Sequence, residues 1–301
     1  MSRKQKCWEL CCSTRFLVFV TLLIVGSLVV AFSVGGKDST QENSSPPPVN
    51  RQEAIRSKII DLGISSEADL KNAKTASNKA LQFLVKSDEA QLAPDDPNLL
   101  ERYALGVLYY STQPQDQASP IYKSWRNKES WMSKASVCDW YGVDCERIEE
   151  EQRDIIVHVN LAANQLQGTL PSELKALKDL VQLNLSGNRL FGTIPEAIGH
   201  MSVLSFLMLQ DNGLTGTLPI AIGDLLSAEE IILSNNKLEG HLPENIGRLS
   251  KLRGLKVDNN VFSGSLPTEW KLTRISKYHG RNTVFRSSSN AHSYPFSFRR
   301  S

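Results

Sequence analysis

The chain has 301 residues, 34 of them basic and 32 acidic, for a formal net charge of +2. So even a balance excludes a nucleic-acid binder held by bulk charge, and the length admits one large domain or two small ones. The charge is nevertheless uneven: residues 271–301 hold seven Lys or Arg and no acid, which leaves the rest of the chain about five charges negative.

The N-terminus comes first in chain order. Residues 16–34, FLVFVTLLIVGSLVVAFSV, contain no charge. At about 1.5 Å per residue they span roughly 28 Å, close to the ~30 Å hydrocarbon core of a bilayer. Arg3, Lys4, Lys6 and Arg15 precede this run against a single Glu9. The positive-inside rule therefore predicts a cytosolic basic tail over 1–15, a transmembrane signal-anchor over 16–34, and everything later across the membrane. A cleaved signal peptide is the alternative, because Ala31-Phe32-Ser33 resembles a small-x-small cleavage site. Either reading puts the bulk of the chain outside the cytosol, on the extracellular or lumenal side of what is expected to be the plasma membrane. Cys7, Cys11 and Cys12 beside the span are palmitoylation candidates.

Residues 35–50, GGKDSTQENSSPPPVN, are polar and Pro-rich and read as an extended linker, with a glycosylation sequon at Asn43. Residues 51–150 form the next unit, helical up to about 111. Asp96 is placed as an N-cap with Pro97 at the first helical position. Leu99, Leu100, Tyr103, Ala104, Val107 and Leu108 mark one apolar face of that helix. Ala76, Ala80, Leu81 and Leu84 make a weaker stripe of the same kind. These are core faces. A loop follows over 111–120. Then come Trp125, Trp131 and Trp140 with Cys138 and Cys145, the two cysteines seven apart with Gly142 between them. Across a membrane such a pair is read as a bridge; two reduced buried cysteines are the other reading.

From 151 to 270 the chain repeats. Asn164, Asn188, Asn212, Asn236 and Asn260 are 24 residues apart without exception. Four residues after each stands a glycine (168, 192, 216, 240, 264), and seven after each a proline (171, 195, 219, 243, 267). Ahead of each Asn, at minus five and minus three, lie Val159 and Leu161, Leu183 and Leu185, Leu207 and Leu209, Ile231 and Leu233, Leu255 and Val257. The apolar pair predicts a short strand with those side chains inward. The Asn amide is assigned to the backbone groups of the following turn, in a ladder of stacked copies. Glycine permits an unusual backbone or a close approach, and proline stiffens the return path. One such turn cannot bury its own apolar face, so the copies must stack into a solenoid.

The pattern L-x-x-L-x-L-x-x-N-x-L-x-G-x-[LI]-P resembles the plant-type leucine-rich repeat. The region before it, LLERYALGVLYYST with SW, W and CDWYGVDC, resembles the N-terminal cap of the same family, and RYALGVLYYST is most similar to algal, diatom-type members. The resemblance implies an α/β leucine-rich-repeat solenoid of five repeats, preceded by a helical cap whose Cys138 and Cys145 are disulfide-bonded. Many members are receptor-like cell-surface proteins, some with a cytosolic kinase; here no kinase motif is present and the anchor stands at the N-terminus.

A sixth Asn would fall at 284, where the chain has Val284, and the matching core positions would be Ser276, His279 and Arg281. Residues 271–301 are therefore read as a basic disordered tail. The last coil is left without an evident cap, a place where a partner could pair.

No catalytic constellation is legible. His158, His200, His241, His279 and His292 are scattered, and no Walker loop or nucleophile elbow occurs. The chain is read as no enzyme, with no cofactor and no metal. Binding is assigned to the concave face, where strand alternation turns outward His158, Asn160, Gln182, Asn184, Phe206, Met208, Glu230, Ile232, Lys256 and Asp258. Phe206, Met208 and Ile232 make an apolar centre with a polar rim, the usual build of a specific interface. The expected partner is a protein, peptide or glycan, together with the membrane and without nucleic acid. A membrane-anchored receptor-like protein or co-receptor is one function class. A secreted or wall-associated inhibitor or adhesion protein, resembling polygalacturonase inhibitors, is the other. Asn184 is also a sequon, and a glycan there would compete with recognition by that face.

Overall fold

The computed structural model describes residues 50–114 and 124–264, and the backbone of 277–279 and 284–285. Among the described residues no helix is long and apolar enough to cross a membrane. The expected span 16–34, the linker sequon Asn43 and the three N-terminal cysteines lie outside them.

Four helices open the described part. Asn50 caps α1 (Arg51–Asp61), Ser66 caps α2 (Glu67–Lys71) and Thr75 caps α3 (Ala76–Gln82), each side-chain oxygen accepting an N–H of the first turn. Helix α3 runs on into a wider turn, Phe83–Ser87. Helix α4 covers Leu99–Ser111, so it starts later than Asp96 and Pro97 predict. The cap residue is Asn98, while Asp96 accepts the Asn98 N–H at 2.8 Å and closes a separate turn ahead of the helix. The predicted stripe is buried, except that Leu100 is only partly so. The opposite side of α4 is buried too: Glu101, Arg102 and Leu105 are all enclosed. Periodicity shows one apolar face; it cannot show that a polar face will be roofed.

What roofs it is the aromatic layer and the first coil. Tyr109, Trp125, Trp131 and Trp140 stand in a chain of ring contacts 4.7–6.2 Å apart. Arg102 lies 5.0 Å above the Trp140 ring. It also forms a bidentate pair with Asp88 (2.6 and 2.8 Å) and donates to the Ala135 and Ser133 carbonyls. That set satisfies a charge that burial would otherwise penalise severely. Glu173, from the first coil, accepts from Ser65 Oγ (2.6 Å) and Ser77 Oγ (2.7 Å), which bolts the helices to the repeats. Cys138 and Cys145 are bonded. Gly142 sits between them at φ +78°, where a Cβ would lie 2.2 Å from the Asn160 carbonyl oxygen.

Strand β1 (Val143–Ile148) turns back antiparallel onto β2 (Arg153–Asn160), and from there every coil contributes in parallel. The large sheet runs β1–β2–β4–β6–β8–β10–β12, with β4 at Gln182–Asn184, β6 at Phe206–Met208, β8 at Glu230–Ile232, β10 at Gly254–Lys256 and β12 at Lys277–His279. A second sheet forms on the other side of each turn from β3 (Gln167–Gly168), β5 (Arg189–Gly192), β7 (Gly213–Thr217), β9 (Lys237–Gly240), β11 (Val261–Gly264) and β13 (Val284–Phe285). Each proline from 171 to 243 starts a short 3₁₀ helix: Ser172–Ala176, Glu196–His200, Ile220–Asp224 and Glu244–Arg248. The ten inward residues at minus five and minus three are at most 1% exposed, so the core is a continuous column.

Each repeated Asn couples neighbouring coils through backbone. Asn188 Oδ1 accepts from the Asn164 and Leu166 N–H groups, both 3.0 Å away in the coil before, and its Nδ2 donates to Leu161 O and Leu185 O at 2.9 Å. Asn212, Asn236 and Asn260 repeat the pattern one coil further on each time. Asn164 has no coil before it and bonds the backbone of Asn127, in the segment that precedes the repeats, accepting at 2.7 Å and donating at 2.8 Å. The amides do not bond one another. Their glycine partners at 192, 216 and 240 sit near φ +76°, and a Cβ there would press on Thr169, Thr193 and Thr217.

The C-terminal end differs from the expectation. Leu255 pairs with Tyr278, a step of 23 residues in place of 24, so a sixth strand lies along β10 inside the segment read as tail. A strict 24-residue register points at His279 and Arg281 and overlooks it. The coil expected to stand without a cap thus ends in β10, whose edge carries β12.

Two outcomes follow from these contacts. Asn212→Leu strips a partner from the Leu190 N–H and from two carbonyls, and should lower stability by roughly 1–3 kcal/mol in denaturant melts. Glu101 is the second. Burial first, and then the Asp179 charge, pushes its carboxyl up to about 7, with Arg153 pulling the other way. A proton held more tightly in the folded state stabilises it fully below the ordinary carboxylate range, and that contribution is lost as pH rises through about 7. Melting temperature should therefore fall between acid and slightly alkaline pH, and Glu101→Gln should flatten that slope.

Candidate recognition surface

The large sheet sets out the predicted residues in register. His158, Gln182, Phe206, Glu230 and Gly254 are mutual neighbours along one row, and Asn160, Asn184, Met208, Ile232 and Lys256 along the next. Strand alternation explains the rows: Val159, Leu183, Leu207, Ile231 and Leu255 between them are fully buried, which turns both flanking rows out. Parallel strands lie ~4.8 Å apart, so the face from β2 to β10 is about 20 Å long.

Its chemistry changes along that length. At the β1–β2 end stand carboxylate, imidazole and amides, with His158 Nδ1 3.9 Å from Asp144. In the middle, Phe206 and Met208 share β6 and Ile232 sits beside Met208 on β8, all three partly exposed. Beyond them Lys256 Nζ is 3.1 Å from Glu230 Oε1 across adjacent strands. Glycine at 254 makes room for this pair, since a Cβ there would come within 3.2 Å of Glu230 Cγ. Asp258 does not join the pair; it accepts from Ser234 Oγ at 2.6 Å. The apolar centre is therefore bordered by an ion pair that neutralises itself and by amides. Such a surface offers little net charge to a partner. Gln210, on the row that continues to Ser234 and Asp258, keeps a buried Oε1 that no described residue bonds.

One feature of this rim escaped the reading of the sequence. Asn259 Nδ2 donates to Asn235 Oδ1, and Asn235 Nδ2 to Asp211 Oδ1, both at 2.6 Å, making an exposed second ladder beside the buried one. All three residues have φ between +54° and +58°. The doublets Asp211-Asn212, Asn235-Asn236 and Asn259-Asn260 are the signal, because Asn and Asp are the side-chain-bearing residues that best tolerate that backbone. Among the described residues no group of three His, Cys, Asp or Glu converges to hold a metal.

The Leucine Rich Repeat family model matches residues 179–201 and 227–249, two of the coils described above. The chain carries leucine-rich repeats. No curated protein matches it. Solved leucine-rich-repeat ectodomains are similar to it. A chain of the BIR3–SERK2 complex from Arabidopsis thaliana is 28% identical, with a TM-score of 0.48 over 60% of this chain and 96% of that one. The BIR2 ectodomain from Arabidopsis thaliana is 27% identical, with a TM-score of 0.44 over 50% of this chain and 78% of that one. The leucine-rich-repeat ectodomain of the receptor kinase SOBIR1 from Arabidopsis thaliana is 22% identical, with a TM-score of 0.48 over 62% and 94% of the two chains.

Proposed function

We propose that this is a non-catalytic recognition protein of algal, diatom type, receptor-like or a co-receptor, anchored by residues 16–34 with its repeats on the extracellular or lumenal side. Its ligand is a peptide or protein segment with an apolar anchor, bound across the concave strands. The observation that carries this reading is the Phe206–Met208–Ile232 centre, held on a rigid sheet and bordered by the Glu230–Lys256 pair. Apolar anchors inside a polar rim supply most of the energy of specific interfaces. A bonded Cys138–Cys145 fits an oxidising compartment, and the uncharged run at 16–34 after a basic tail fits an anchor with the N-terminus in the cytosol.

Three measurements test it. A photo-crosslinking residue placed at 232, in intact cells, should capture one defined partner, while the same residue at Ile220 on the 3₁₀ helix of the third coil should not; equal capture from both positions sinks the concave site. Protease added outside intact cells should remove the repeats and spare a tag placed before Cys7. Mass spectrometry of the mature N-terminus then separates anchor from cleaved leader: a chain beginning after Ser33 would make the protein a secreted one.

A further inference from the structure

We infer that Asn184 carries an N-linked glycan, which screens the β2–β4 end of the concave face and the Met208 flank of the apolar centre, and leaves recognition to Phe206, Ile232, the Glu230–Lys256 pair and Asp258. The inference rests on the extracytoplasmic placement of the repeats proposed above.

Asn184-Leu185-Ser186 is a sequon, and the folded coil holds it in a particular way. Asn184 Oδ1 accepts from the Ser186 N–H at 3.1 Å and from the Ser186 hydroxyl at 2.7 Å. Its Nδ2 donates to no protein acceptor among the described residues. The ladder amides are the opposite case: Asn188 and Asn212 each commit Nδ2 to carbonyls of two coils. An N-glycosidic bond replaces one hydrogen of Nδ2 and leaves the amide carbonyl in place. At Asn184 it would therefore cost the fold no hydrogen bond, and the turn made by Oδ1 would survive it. Position supplies the rest. Asn184 projects outward between the fully buried Leu183 and Leu185 and is itself partly exposed. Asn160 occupies the same place one coil earlier and makes the same turn, with the Ala162 N–H 3.3 Å from its Oδ1. Alanine at 162 leaves it without the hydroxyl that a sequon needs.

Asn184 Nδ2 bonds to C1 of the first sugar of a lipid-pyrophosphate-linked oligosaccharide. The C1–O bond breaks, the lipid pyrophosphate leaves with the bonding pair, and a base of the transferase takes the Nδ2 proton. The first sugar then stands between Asn160 and Met208, its register partners on either side, one strand spacing of ~4.8 Å from each. Ile232 is two spacings away and Lys256 three, so the ion-paired half of the face stays open.

The full chain, made in a eukaryotic secretory host, provides the test. N-glycosidase treatment in heavy-oxygen water should label residue 184 in most molecules. The label should persist in Ser186→Thr and vanish in Ser186→Ala. Hydroxyl-radical oxidation of Met208 should rise several-fold once the glycan is removed, while oxidation of Phe262, in the core, stays constant. A control acceptor at the tip of the β1–β2 hairpin, Glu150→Asn with Gln152→Thr, separates the two ways of failing. If the hairpin is glycosylated and Asn184 is not, the inference is overturned and the extracytoplasmic placement stands. If neither is glycosylated, both fall. Unchanged Met208 oxidation overturns the screening of the face even where the glycan is present.

Discussion

Everything in this molecule depends on how one turn satisfies its buried backbone. After each inward pair of apolar residues the chain must reverse direction while its peptide groups are enclosed, and an unpaired buried peptide group costs about as much as a lost hydrogen bond. The Asn amide answers this with one acceptor and two donors spread over two coils: Asn236 takes the Leu214 N–H and gives to Leu209 O and Leu233 O. A coil on its own would leave half of those bonds unmade. The 24-residue period is the distance at which one amide meets the turn before it. The glycine that follows at positive φ and the proline that opens each 3₁₀ helix keep the chain on that path.

A stack of such coils has two ends, and each exposes an apolar column and a row of unpaired peptides. At the N-terminal end helix α4 lies across the first coil so closely that a Cβ on Gly168 would sit 1.9 Å from the Ser111 carbonyl oxygen. Asn127 takes the place of the missing earlier turn for Asn164. The buried Arg102–Asp88 pair and the Glu173 carboxylate hold the helices in one orientation. Ionic groups so placed add little net stability compared with apolar packing, but removing one partner would be severe, which fixes the register of the helices on the repeats. At the other end β12 extends the same sheet by one strand.

The outward rows of the large sheet are what the fold does not need. Stacking uses the inward residues, the turn amides, the glycines and the prolines; the outward residues of strands β2 to β10 are released from those duties. Their composition is free to be set by a partner. Here they progress from amides through an apolar centre to a self-neutralised ion pair. The same freedom allows Asn184 to present an unengaged amide nitrogen while Asn188, Asn212, Asn236 and Asn260 each commit theirs to carbonyls of two coils.

Local spacing was enough to read the coils. Fixed columns of Asn, Gly and Pro, with two inward apolar residues each, specify the strand, the turn and the stacking, because these are decided by contacts at one constant sequence separation. The outward rows were legible for the same reason, since alternation about a known inward residue leaves no choice. Contacts between segments far apart in sequence were not. Nothing local marks Asp88 as the partner of Arg102, or Ser65 and Ser77 as donors to Glu173, 108 and 96 residues later. The pairing of Lys256 with Glu230 and of Asp258 with Ser234 needed the true lateral register. The 23-residue last step hid β12 from a strict period. Sequence alone determined that the chain winds into coils and which side chains face in or out. Tertiary structure decided how the ends are closed and which polar groups meet, because those choices depend on distances that only the assembled stack creates.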